Sequence, residues 1–217
     1  NVRVDFIDQN GDSWQEFTPV GVSKAMSKIS GFYDDATDID TALVSNTGAS
    51  KVLCVGVAGN VVGRKFTGFK GAVQTNYRRM ATRNELTKVE ADINANGDVE
   101  EGIILHVLGA ETAASGNTQG ADSQDFRASS ALGGSSYMQC TYLTLGGYTS
   151  VTLIIRDSID DTTYADYITF ANVTVADVAE RVTSIENPLN RHTACSWLFN
   201  GAGSSNSITF MIGLKRN

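Results

Sequence analysis

At 217 residues the chain holds enough material for one large or two modest domains, and 41% hydrophobic with 19% charged residues excludes a disordered polymer. The balance of 17 basic against 24 acidic side chains leaves a net charge of −7, which argues against a protein built to grip nucleic acid with a basic face. No stretch reaches the roughly 18 apolar residues of a membrane helix and no basic-then-apolar start resembles a signal peptide, so the chain reads as soluble and made in a cytoplasm.

Glycine is common (21) and proline rare (2), a composition suited to many strands joined by tight turns. Strands are expected near 2–7 and 24–32. A short helix is expected over 38–44: Thr37 is a good N-cap, and Asp40 completes a near capping box. Asp38 and Asp40 lie in the first turn, where negative charge suits the helix dipole, and Ile39, Ala42 and Leu43 share one apolar face. Further strands follow near 51–57, 61–71 and 72–82.

The clearest element is the run from Thr87 to Ala95, closed by an Asn96-Gly97 turn. Val89, Ala91, Ile93 and Ala95 alternate with Lys88, Glu90, Asp92 and Asn94. Apolar positions at every second residue fit a strand with one buried and one wet, mostly acidic face. One more strand is expected near 102–108. From 110 to 130 the chain is small, polar and aperiodic, which reads as a linker or long surface loop. Beyond it, strands near 136–145, 150–157, 164–170, 178–184, 192–199 and 207–215 alternate with turn signals. Their spacing, often about a dozen residues, is that of an all-β sandwich or barrel. The expected fold is therefore mostly β. It comprises a first β domain over 1–110 with one short helix, a linker over 111–130, and a second small β-sandwich over 131–217.

Residues that could carry chemistry are few. No phosphate-cradling GxxxxGK[ST], no dinucleotide-binding glycine fingerprint and no GxSxG elbow occurs. Cys54, Cys140 and Cys195 are far apart and lack CxxC spacing, so each reads as a small buried hydrophobe. His106 and His192 have no ligand-spaced neighbours, and His106 reads as a satisfied or half-exposed strand residue. The Asp157-Ser158-Ile159-Asp160-Asp161-Thr162-Thr163 run is the best calcium candidate, but it lacks the turn glycine and late glutamate of a helix-flanked calcium loop. A hairpin turn satisfied by its own Asp and Thr side chains fits better. Asp98, Glu100 and Glu101 suggest a glycosidase-like carboxylate pair, although no aromatic cleft accompanies them. Arg78 and Arg79 beside Tyr77, with Arg83 nearby, form the one dense basic patch, which fits a subunit interface at least as well as a nucleic-acid site. Trp14 and Trp197 are the only tryptophans and suit core packing.

The order of several pieces resembles the major tail proteins of long-tailed bacteriophages. The matching pieces are Gly31-Phe32-Tyr33-Asp34, the Asp-rich segment through Leu43, Gly63-Arg64-Lys65-Phe66-Thr67-Gly68-Phe69, Tyr77-Arg78-Arg79, and Leu86 to Asp92 running into Gly102-Ile103-Ile104-Leu105. The second half is similar to the add-on β domain of many such proteins, through Tyr137 to Thr141, Val151 to Ser158, Tyr164 to Phe170, Ala179-Glu180-Arg181 and Ser207 to Arg216. Cys140 and His192 depart from that pattern.

The resemblance implies a tail-tube subunit without catalytic residues, cofactor or metal. Copies would polymerise as stacked, six-membered rings around a channel that genomic DNA traverses without specific binding. Partners would be the chain itself and other tail proteins, namely the tape measure, the tail terminator and the distal tail protein. Assembly would follow synthesis in the host cytoplasm, with no membrane involved. Glu90 and Asp92 are then candidates for the lumen wall, where carboxylates repel phosphates. Arg78, Arg79 and Arg83 are candidates for the contact between subunits. Two rivals are a capsid decoration or head-joining protein and a carbohydrate-binding β-sandwich on the virion surface.

Overall fold

The computed structural model describes residues 4–7, 13–16, 26–32, 50–81, 87–120 and 122–217, the first three stretches by their backbone. The strands are, in order, β1 (Val4–Ile7), β2 (Ser13–Glu16), β3 (Met26–Phe32), β4 (Ser50–Val55), β5 (Lys65–Met80), β6 (Lys88–Ala95) and β7 (Val99–Glu111). They continue as β8 (Ser115–Asn117), β9 (Gln124–Asp125), β10 (Gly134–Thr144), β11 (Ser150–Ser158), β12 (Ala165–Thr169), β13 (Val178–Ser184), β14 (His192–Asn200) and β15 (Ser207–Arg216). The described residues are all-β, as the alternation and turn spacing predict. The helix expected over 38–44 lies outside the described residues.

Two compact units are present, each drawn from two stretches of chain: Asn1–Lys51 with Phe69–Val99, and Val52–Gly68 with Glu100–Asn217. In the first unit β6 lies between β3 and the later part of β5, antiparallel to both, and β1 pairs with β2. Val89, Ala91 and Ile93 are buried on one face of β6, while Lys88 is exposed and Glu90, Asp92 and Asn94 are half-buried on the other.

One boundary differs from expectation. The strands expected over 61–71 and 72–82 are a single strand, β5. Gly71 is there for a close approach rather than a turn: a Cβ would sit 2.5 Å from the Asn96 carbonyl oxygen and 2.8 Å from Ser50 Oγ. A sequence pattern cannot distinguish the two uses of glycine.

The second unit is a β-sandwich. One sheet has the order β13-β10-β15-β7 and continues to the start of β5; the other has the order β12-β11-β14-β8, with β9 also on β14. Alternation sends Met138 and Cys140 of β10 and Ile208, Phe210, Ile212 and Leu214 of β15 into a core shared with Val151, Leu153 and Ile155 of β11 and Cys195, Trp197 and Phe199 of β14. Burying a side chain of this size contributes roughly 1.5–3 kcal/mol. The segment 111–130 belongs with this unit, and its β8 and β9 pair with β14 through backbone bonds that small, polar residues leave invisible in the pattern. On the opposite face of the first sheet, Phe66, Ile104, Tyr137, Met211 and Cys54 form a second, smaller cluster. Phe66 is accommodated there because Gly102 and Gly213 lie beneath it; a Cβ on either would come within 2.5 Å of its ring.

Candidate functional site

The β5–β6 face of the first unit carries the residues singled out from sequence. Register places Arg78 opposite Glu90 and Asn76 opposite Asp92, and directly opposed strand residues share a face. Arg78 donates to Glu90 Oε2 through Nε at 2.8 Å and Nη2 at 2.7 Å. Asn76 Nδ2 donates to Asp92 Oδ2 at 3.1 Å, and Asn94 Nδ2 donates to Thr75 Oγ1 at 3.0 Å. Thr75 is the extra residue at a bulge between Gln74 and Asn76, which restores the pairing of polar with polar beyond it. Arg78 and Glu90, expected on two different surfaces, therefore form one ion pair. Register also sets Lys88 opposite Met80 and Lys28 of β3 opposite Asp92, so the face that carries Glu90 and Asp92 is mixed in charge rather than acidic.

Arg79 stands opposite Val89 and so belongs to the other face. Its Nε lies 3.4 Å from the Tyr77 hydroxyl oxygen, and its guanidinium lies 5.9 Å from the centroid of that ring. Arg83 lies outside the described residues. The basic patch is thus divided between two faces by strand alternation alone.

In the second unit, alternation separates Glu100 from Glu101. Glu101 is exposed, 3.8 Å from Lys65 Nζ. Glu100 turns inward and accepts from the Tyr137 hydroxyl at 2.5 Å, from Arg181 Nε at 2.8 Å and Nη2 at 3.0 Å, and from Lys215 Nζ at 3.1 Å. Burial pushes its carboxyl up, but the hydrogen bonds from Arg181, Tyr137 and Lys215 outweigh that and hold it at about 2. Burial and the neighbouring Glu100 push the Tyr137 hydroxyl well above its ordinary range. A carboxylate this firmly ionised has no proton to donate at neutral pH, which removes it from general-acid work. Nothing in the spacing announced this network, whose members lie 37, 81 and 115 residues from Glu100.

The 157–163 run is a self-satisfied hairpin turn. Asp160 Oδ1 accepts from Ser158 Oγ at 2.9 Å and from the backbone N–H groups of Thr162 at 3.0 Å and Thr163 at 2.9 Å. The Thr163 and Thr162 bonds hold its carboxyl below the usual carboxylate range. Asp161, at φ +60°, accepts from the Tyr164 hydroxyl and from Ser123 Oγ at 2.7 Å, and Asp157 accepts from the Asn190 N–H at 2.8 Å. The three carboxylates face three separate sets of partners instead of converging.

The three cysteines are buried free thiols, as their lack of CxxC spacing predicts. Burial pushes Cys54 and Cys195 up to about 12 and raises Cys140 as well, far from the thiolate a nucleophile needs. Trp197 is 7% exposed and stands in the core. His106 is 4% exposed, and its ring stacks on Phe210. His192 Nδ1 lies 3.8 Å from Asp161 Oδ1.

Compared with known proteins, the chain matches no family model, no curated protein and no solved structure.

Proposed function

We propose that the chain is a structural subunit that assembles with copies of itself, of the kind that forms the tail tube of a long-tailed phage. The observation that carries this reading is the β5–β6 face. On it Arg78 is paired with Glu90, Asn76 with Asp92 and Asn94 with Thr75 across the strands. A wall of this kind gives a passing phosphate backbone little to hold, because Arg78 is already engaged by Glu90 and Asp92 adds a second carboxylate on the same face. The all-β architecture supplies strand edges for joining subunits, and the net charge of −7 opposes adhesion to DNA. In this reading the copies close into stacked rings, DNA passes without specific binding, and the neighbours are the tape measure, terminator and distal tail proteins of a virion tail.

Negative-stain microscopy of the concentrated protein tests the assembly: rings or tubes are expected, and strictly monomeric particles would overturn it. Reversing charge with Glu90→Lys and Asp92→Lys tests the address of the face. Tails that assemble but retain their DNA are expected. Normal assembly and ejection would remove this face from the lumen.

A further inference from the structure

In the second unit the segment 56–62 follows β4 and leads toward β5. Residues 57–61 are all exposed, Val57 at 61% and Val61 at 54%, so burial of aliphatic side chains does not hold this span down. Gly59 and Gly63 take φ of +93° and +79°, a region that glycine enters without steric cost. Apart from its chain neighbours, nothing lies within 4 Å of where a Gly59 Cβ would stand, so that glycine serves the path of the chain rather than a close approach.

Hydrogen bonds fasten the span to β7 at two places. Past its C-terminal end, the Gly63 N–H donates to the Ile104 carbonyl at 2.8 Å and the Ile104 N–H donates to the Arg64 carbonyl at 2.9 Å. At mid-span, Asn60 meets the backbone of Leu108. Its Oδ1 accepts from the Leu108 N–H at 2.7 Å, and its Nδ2 donates to the Leu108 carbonyl at 3.0 Å. A carboxamide carries the same donor and acceptor as a peptide group, so this side chain stands in for a strand partner. Among the described residues no other hydrogen bond joins 56–62 to β7; the rest are local, from the Gly59 N–H to the Gly56 carbonyl and from the Arg64 N–H to the Val61 carbonyl. Asn60 and Leu108 also line a cavity of about 300 Å³, together with Cys54, Gly56 and Met211.

We infer that 56–62 is a strap closed by a single latch, the Asn60 carboxamide on Leu108, and that releasing the latch opens the cavity and uncovers Cys54. Both bonds of the latch are exposed, so water competes for each of them, and no buried side chain over 57–61 resists the motion. The opening is local, because Cys140 and Cys195 belong to the sandwich core, in which no residue of the strap takes part.

Labelling of the native protein with iodoacetamide, read by mass spectrometry, tests the strap. The thiolate is the reacting form, and burial holds Cys54 at about 12, so labelling reports the open state. Below the urea unfolding transition, Cys54 is expected to label faster than Cys140 and Cys195. Its rate is expected to change little with urea there, because a local opening exposes little surface. In Asn60→Ala the Cys54 rate is expected to rise about 10- to 100-fold, the worth of two hydrogen bonds, while Cys140 and Cys195 keep their wild-type rates. A wild-type Cys54 rate that follows the global transition together with the other two would overturn the strap. An unchanged Cys54 rate in folded Asn60→Ala would overturn the latch, and a rise shared equally by all three thiols would overturn the local opening.

Discussion

Removing the charge of Glu100 leaves Arg181 and Lys215 facing one another across Tyr137 without the carboxylate that joins them. Breaking a buried pair from one side leaves an uncompensated charge, so Glu100→Gln is expected to cost about 3 kcal/mol, read from urea unfolding. Acid reaches the same group by another route. The folded carboxyl titrates at about 2 and the ordinary value is 4.5. The unfolded chain therefore takes up the proton first as pH falls. The Glu100 contribution is complete above pH 4.5 and is lost as pH falls through about 2. Its size is on the order of 3 kcal/mol, and Glu100→Gln is expected to flatten that part of the stability–pH curve. At the thiols, Cys140 and Cys195 are fully buried and Cys54 is 8% exposed. Alkylation in native buffer is expected to be slow at all three and rapid in denaturant, as mass spectrometry would show.

At the scale of strands, glycine placement decides which side chains can lie flat on the sheet. Gly213 sits beneath Phe66, with ring atoms 2.5–2.8 Å from where a Cβ would stand. Gly213→Ala is expected to destabilise by about 1–3 kcal/mol through overpacking. Adding Phe66→Leu should recover part of that loss, because the two sites share one contact, and a double-mutant cycle by chemical denaturation checks it. On the β5–β6 face, Arg78→Glu sets a carboxylate directly across from Glu90. It is expected to cost roughly 0.5–1 kcal/mol, and the swap Arg78→Glu with Glu90→Arg should restore most of it in the same measurement.

For the molecule as a whole, charge and surface make a prediction independent of assembly. A face of mixed charge that carries Glu90 and Asp92, in a chain of net charge −7, leaves no strongly basic field for a polyanion. Duplex DNA is expected to show no mobility shift with this protein at low salt, where any phosphate-driven contact would be strongest.

The alternation from Val89 to Asn94 determined by itself that β6 has a buried and a wet face, because the two-residue period of a strand acts on neighbours in sequence. Turn spacing determined the β architecture of the described residues in the same local way, and the lack of CxxC spacing marked Cys54, Cys140 and Cys195 as buried, unpaired thiols. Partnership across strands was decided only by the tertiary structure. Register made Arg78 the partner of Glu90, and the fold gathered Tyr137, Arg181 and Lys215 around Glu100 over separations of 37 to 115 residues. Such pairings depend on which strands become neighbours, and no local period encodes that. The β5–β6 face shows the division: its wetness lies in the order of residues 88–94, and its charge balance lies in the register that aligned a second strand beside it.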